Sequence, residues 1–476
     1  FDALVSGPFV SFLKDYMPET HEVGVWFEMN ELHCKAADVE WRGRPGFSWD
    51  HYPNVAFTIG YSPEDRRKLA DSMMNEFKRI WGHYPKSVAS WNLDAISIAH
   101  LADHYSVDAF AVCRDQIATD GFTIWGAPIA GWYPSKTNAW CPAVSTTNQI
   151  QAPVFRMLGQ DPTYYYQSAY PMPDGQTQAT PDTMEPVWPS GRSEAFIESF
   201  LQMISTNPCL QIAYAQLGQE NSFGWPEMSE AYPKQMKALA QVRSEGRVQV
   251  ETLSQTGRRF KEAFDLTPPQ AQVMLRDSMG NPEPGEKTIW FQNRFYRANL
   301  HIKGSRFYLR DIHVYRDGFA QPSLTEKTLL VEVEQRMLAV LDGWHWSPEP
   351  GSTEPGAAGW FKTGGHALLI AGEPEVAEVG TGLKVSLQLA GGGSLCLEFM
   401  EKEIRCRLDH RPLAPLSLCF EWDGRRSSFE GADGSLIHYR WNDFAYTVKA
   451  TGRVEETERG WQITSGTGSF SFALAP

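Results

Sequence analysis

Two periodicities divide this chain. Up to about residue 268, short apolar runs of strand length alternate with amphipathic stretches of helix length. Residues 21–29 (HEVGVWFEM), 54–60 (NVAFTIG), 87–92 (SVASWN), 108–115 (DAFAVCRD), 122–128 (FTIWGAP), 209–217 (CLQIAYAQL) and 247–253 (RVQVETL) read as strands. Between them, Ser62 as N-cap, Pro63 at the first helical position and Asp65 three residues on open a helix that runs to Gly82, a C-cap residue. Further helices are expected at 94–105, from Arg192 to about 206, on to about 246, and at 254–264. Repeated strand–helix units imply a parallel sheet, closed or nearly closed as a (β/α) barrel, with a doubly wound open sheet as the alternative.

Residues 269–286 are rich in Pro, Gly and charge (TPPQ, MGNPEPGE) and mark a boundary. Beyond it, strands of alternating polarity separated by Gly-rich turns predict an antiparallel β-sandwich, with one helical stretch at 325–342. The expected organisation is therefore a barrel over 1–268, a linker over 269–286 and a sandwich over 287–476. At about 150 residues per domain, a chain of 476 residues has room for two or three such units.

Composition narrows the partners. Apolar residues make up 42% and charged residues 21%, with no apolar stretch of about 18 residues, so neither a disordered chain nor a membrane-spanning helix is expected. Lys and Arg total 43 against 57 Asp and Glu, a net charge of −14, which supplies no basic footprint for nucleic acid or for an anionic membrane. The seven cysteines are odd in number and form no CxxC, so neither a disulfide framework nor a structural zinc site is expected. The chain opens on Phe1 without a basic leader, which reads as a processed or partial product and leaves its compartment unassigned. A homodimer is compatible with all of this.

Aromatic residues reach 13%, with 17 Trp and 17 Tyr. Most belong to a core and its seams, but flat amphipathic rings also suit sugar faces. The phosphate-cradling GxxxxGK[ST], GxSxG and HExxH are all absent. His100 and His104 share a helix face, a spacing that can hold a metal but more often marks a polar helix surface, and no metal or cofactor is assigned. The polar clusters fall just after predicted strands: Glu28-Met29-Asn30, Trp91-Asn92, Arg114-Asp115 and Gln219-Glu220-Asn221. In a barrel those positions ring the mouth. The segment from Cys113 to Cys141 adds Tyr133, Lys136 and Asn138, and its polar, aromatic character suits a polyhydroxylated ligand.

The stretch GYSPEDRRKLADSMMNEFKRIWGHYPKSVASWN resembles the (β/α) barrels of polysaccharide-deacetylase type. Those enzymes hold a metal on an Asp and an HxxxH motif after an early strand; here that loop (MNELHCKAAD) has only His33, a departure from the pattern. The layout of barrel and sandwich, with CRDQ and GQENSFGW, is similar to the inverting exo-sialidases of glycoside hydrolase family 156. That resemblance implies an Asp at the first strand end, matched in position by Asp2, and arginines on the sialic acid carboxylate, matched by Arg114 and Arg192. It also implies a strand-end His, which the segment from Cys113 to Cys141 lacks.

The expected function is an exo-acting glycoside hydrolase on terminal sugars, in its narrowest form an inverting sialidase. Asp2, Asp115 and Glu220 are the expected acid and base groups, and Arg114, Arg192, Trp91, Asn92, Tyr133, Lys136, Asn138 and Asn221 the substrate-binding set. A metal-dependent carbohydrate deacetylase and a non-catalytic sugar-binding protein are the alternatives.

Overall fold

The computed structural model describes residues 1–112, 126–127, 129–156, 184–218, 223–275, 286–331, 333, 337–343, 345–346, 356–409, 415–423 and 427–476, and the backbone alone at 116–118, 121–122, 169–171 and 177–179. The helix signals read in the first half of the sequence hold. The helix Pro63–Trp81 is capped by the Ser62 hydroxyl, which accepts from the Asp65 N–H, and stops at Gly82 in the left-handed conformation. Its inward face carries Leu69, Ala70, Met73, Met74 and Phe77, and with them Arg66. The helix Ala95–Tyr105 follows the same logic, with the Asp94 carboxylate accepting from the N–H groups of Ile96 and Ser97.

Strands Val25–Trp26, Ser87–Ser90, Ala109–Val112 and Val154–Arg156 lie parallel in that order, and Gly131–Trp132 runs antiparallel at the far edge. Among the described residues this is an open five-stranded sheet rather than a closed barrel. Three predicted strands are corrected. Residues 54–60 form the helical turn Pro53–Ala56 and the 3-10 turn Thr58–Gly60, since Pro53 at a helix N-terminus outranks the apolar run. Residues 209–217 form no strand: Leu210 sits at positive φ and bridges to Gln270, while Ile212 and Tyr214 pack onto Phe155 and Phe260 from outside the sheet. Residues 247–253 end in the capping box of Thr252 and Gln255 that starts the helix Leu253–Ala263.

The second half is antiparallel, as expected. A ten-stranded sheet begins with Gln270–Met274, inside the stretch read as linker, and an eight-stranded sheet takes strands from Glu375 onward, interleaved in sequence with Leu416–Trp422, Arg453–Thr457 and Gly460–Ser465 of the first. Glu403–Asp409 alternates buried and open positions, as a half-solvated strand should. Tyr296–Lys303 does not; it is buried nearly throughout. Ala298, Leu300 and Ile302 join the large apolar core that runs through both halves, while Arg297, Asn299 and His301 alternate with them and are also buried.

That polar face serves the first half's loops. Arg297 and the Tyr315 hydroxyl both donate to the Gly126 carbonyl, and Gln270 donates to that of Gly131. Gln292 exchanges two hydrogen bonds with the backbone of Ile129, and Gln321 accepts from the N–H groups of Ala95 and Ala139. Gly126 is fixed in kind: its φ is +63°, and a Cβ there would lie 2.3 Å from the Trp140 carbonyl oxygen.

Among the described residues the segment 325–342 is not a helix, and its regular element there is the strand Leu338–Asp342. Arg66 tethers its start: the fully buried guanidinium donates to the carbonyls of Ser323 and Glu326 at 2.7 and 3.1 Å while pairing with Asp94 at 3.1 Å. Thr328 then donates its N–H to Ile59, which lays this strap across the first half. Replacing Arg66 with Met leaves Asp94 buried without its counter-charge and should cost about 3–5 kcal/mol, read as a lowered urea midpoint. An unchanged midpoint would mean the pair carries no such weight.

A second buried array links strands of the ten-stranded sheet. Arg297 grips Asp311 through Nε and Nη2, both at 2.8 Å. His313 faces Asp311 with Nδ1 at 3.0 Å and Asp342 with Nε2 at 3.2 Å, and His345 adds its Nδ1 to Asp342 at 2.6 Å. Two carboxylates on two ring nitrogens require both to be donors, so His313 is an imidazolium, and its pKa is raised by Asp311 and Asp342 against the opposing effects of burial and Arg297. Asp311 and Asp342 are held below the usual carboxylate value, burial being outweighed by Arg297 and His313 for the first and by His345 and His313 for the second. Stabilisation from His313 is full below about pH 6.5 and is lost as pH rises through its folded value. Stabilisation from the two carboxylates is full above about pH 3.9 and is lost as pH falls through theirs. The melting temperature should therefore fall on the alkaline side, and His313→Gln should be less stable at pH 6 yet flatter above pH 7.

Candidate functional site

The carboxyl ends of the four parallel strands make the floor of the candidate site. Adjacent strands lie about 4.8 Å apart, so a floor from the first to the fourth is about 14 Å wide. At the first end stands Glu28, at the second Trp91 and Asn92, and at the fourth Arg156. Residues 113–115, past the third, lie outside the described residues.

Glu28 is the centre of this arrangement. Three indole N–H groups converge on its carboxylate: Trp49 at 2.8 Å and Trp91 at 3.1 Å on Oε1, and Trp26 at 3.1 Å on Oε2. Each arrives from a different place. Trp26 ends the first strand, Trp91 follows the second, and Trp49 sits on a loop braced by the Arg44–Asp50 ion pair at 2.8 Å. Trp26 stands edge-on to Trp91, 5.1 Å between ring centroids, and is 36% exposed; Trp49 is 43% exposed. Phe47, beneath the Arg44 guanidinium, extends the aromatic surface into solvent. Burial raises the Glu28 pKa, and the three indoles pull it back without cancelling the effect. The result is a carboxyl group able to hold a proton beside flat, partly open rings.

Asn92 is fully buried, and neither its amide oxygen nor its nitrogen has a partner among the described residues. Arg156 is buried with its guanidinium 5.6 and 5.4 Å from the rings of Trp132 and Trp140.

Of the residues expected from sequence, Trp91 and Asn92 fall at this floor. Arg114, Asp115, Glu220 and Asn221 lie outside the described residues. Asp2 is corrected: it opens the short helix Asp2–Val5, exposed, and ends no strand. Tyr133 turns inward, its hydroxyl donating to the Phe264 carbonyl and its ring set against Phe260. Asn138 is buried and accepts from the Trp140 N–H. Lys136 is exposed and donates to the Thr147 carbonyl, and Arg192 donates to the carbonyls of Pro186 and Glu227, bracing two loops. Sequence reading missed Trp26 and Trp49 altogether. It flagged Glu28 through its place after a strand but did not weigh it as an acid.

Metal-type ligands do not gather at this floor among the described residues. His33 is buried, with Nε2 at 2.9 Å from the Leu69 carbonyl, and burial lowers its pKa to about 4, so it is a neutral structural donor. His100 binds Asp71 at 2.6 Å and His104 turns to the His100 carbonyl, the ordinary fate of a polar helix face. Asp311, His313 and Asp342 are close enough to share an ion. Arg297 already occupies both oxygens of Asp311, and His313 already spends both nitrogens, so the donor set does not fit a metal.

No known family model matches the chain, and no curated protein does. Among solved structures it is similar to a protein from Parabacteroides distasonis that carries the provisional description glycoside hydrolase/deacetylase. The two are 16% identical with a TM-score of 0.50, over 71% of this chain and 76% of that one, a likeness of fold.

Proposed function

We propose that this chain is a carbohydrate-active hydrolase that seats a sugar against Trp26 and Trp49 and uses Glu28 as its general acid. The observation that carries the reading is the Glu28 carboxyl: half-buried at a strand carboxyl end, raised in pKa by desolvation, and met by three indole donors beside open aromatic faces. A glycosidic oxygen needs a proton as it leaves, and a carboxyl with raised pKa is the group that keeps one near neutrality. The fold likeness to a protein described as a glycoside hydrolase/deacetylase agrees with this class. A second carboxylate is required across the bond, and Asp115 and Glu220 are the proposed candidates. Cleavage of a terminal sialic acid is the narrowest form of the proposal and depends on Arg114, beyond the described residues.

The test is turnover of a panel of aryl glycosides, an aryl sialoside included, and of acetylated sugars, with and without chelator. Glycoside cleavage should persist in chelator and fall on the order of 10²–10⁴-fold in Glu28→Gln. As an acid, Glu28 must be protonated to act, so kcat/KM should fall as pH rises through its pKa, above the usual value of about 4.3. Acetate release abolished by chelator would move the assignment to a deacetylase. Wild-type rates in Glu28→Gln would remove Glu28 from the chemistry.

A further inference from the structure

The two oxygens of Glu28 are not equivalent. Oε1 accepts from both Trp49 and Trp91, as many bonds as an sp² oxygen has lone pairs. Among the described residues Oε2 accepts from Trp26 alone, which leaves it one lone pair. An indole N–H can donate but never accept, so none of the three rings can take the carboxyl proton. That proton has to lie on an oxygen with a vacant lone pair.

We infer that Oε2 of Glu28 carries and delivers the acid proton, and that Trp49 and Trp91 are positioning residues that close Oε1 to it. The inference rests on Glu28 being the proton-transfer group of the proposed function. In the step itself the O–H bond at Oε2 breaks and a new O–H bond forms on the leaving glycosidic oxygen. The electron pair of the breaking C–O bond goes to that same oxygen. The carboxylate left behind already has three N–H donors aimed at it, so the charge forms in a site arranged to receive it. The arrangement also gives Trp49 a distinct part. It is the one donor carried by a surface loop, so the acidity of Glu28 depends on where that loop sits. His51 lies on the same loop, 6.2 Å from Trp49 between ring centroids.

The test has a readout independent of turnover. In the protonated form Oε1 is the carbonyl oxygen, and its stretching frequency, isolated as the difference from Glu28→Gln, reports the hydrogen bonds it accepts. Trp49→Phe and Trp91→Phe should each move that band to higher frequency, whereas Trp26→Phe should leave it in place. In a carbon-13 titration of Glu28, each loss of an N–H to the charged form should raise the midpoint by about one pH unit. A band that moves equally in Trp26→Phe, or a midpoint unmoved in Trp49→Phe, would overturn the inference. Either result would leave the glycoside panel untouched, so the two proposals fail separately. Trp26 and Trp49 are partly exposed, so their variants should fold.

Discussion

A charge taken out of water has to be answered where it lies, and this fold is organised around that constraint. Arg66, with no exposure, meets Asp94 and the carbonyls of the 323–326 strap. Arg297 meets Asp311, and the alternation continues through His313 and Asp342 to His345. Both arrays lie where the two halves of the chain meet. Each half holds its own counter-ions, Arg66 with Asp94 and Arg297 with Asp311, and spends the remaining guanidinium donors on carbonyls of the other half. The seam between the parallel sheet and the antiparallel one is thus tied by buried guanidinium-to-carbonyl hydrogen bonds as well as by apolar area.

Glu28 breaks the pattern. Its hydrogen-bond partners are three neutral indoles, where the structural carboxylates have guanidinium or imidazolium partners. Neutral donors stabilise a carboxylate without locking its charge. An ion pair drives a pKa far down and keeps it there, which suits Asp311 and Asp342. Donors that only partly offset burial leave the proton exchangeable, which suits a group that must give one up and take one back. The contrast within a single molecule separates carboxylates held in ion pairs from one held by neutral donors, the difference on which the proposed role of Glu28 rests.

How much of this the sequence disclosed follows the range of the forces involved. The helix Pro63–Trp81 was legible because its cap, its Pro and its closing Gly are local. The antiparallel half was legible because alternation and Gly turns are local too. The tethering of the 325–342 strap was not, because Arg66 reaches it from more than 250 residues away, as the separation of 257 to Ser323 shows. The strands expected at 209–217 and 247–253 failed for a related reason: apolar runs are ambiguous until the element they pack against is known. The polar clusters read after strands include Glu28, Trp91 and Asn92, which the structure places at the carboxyl end of the parallel sheet. Trp49 could not be found that way, since nothing in its neighbourhood says that its indole will reach a residue 21 positions earlier.

The antiparallel half is therefore better understood as packed continuously with the first half than as an appended module. A module would keep its own core and present a solvated face to its neighbour. Here the inner strand Tyr296–Lys303 gives one face to the apolar core and, through Arg297, reaches the loop at Gly126, while Gln292 on the neighbouring strand Glu286–Gln292 holds Ile129. Its strap continues to Val333, which packs with Ala56, Phe57 and Ile59 beside Trp91, a donor to Glu28. One ring thus touches both the packing contributed by the second half and the carboxyl group of the first. The geometry at Glu28 cannot be independent of how the sandwich is seated, because the same indole answers to both.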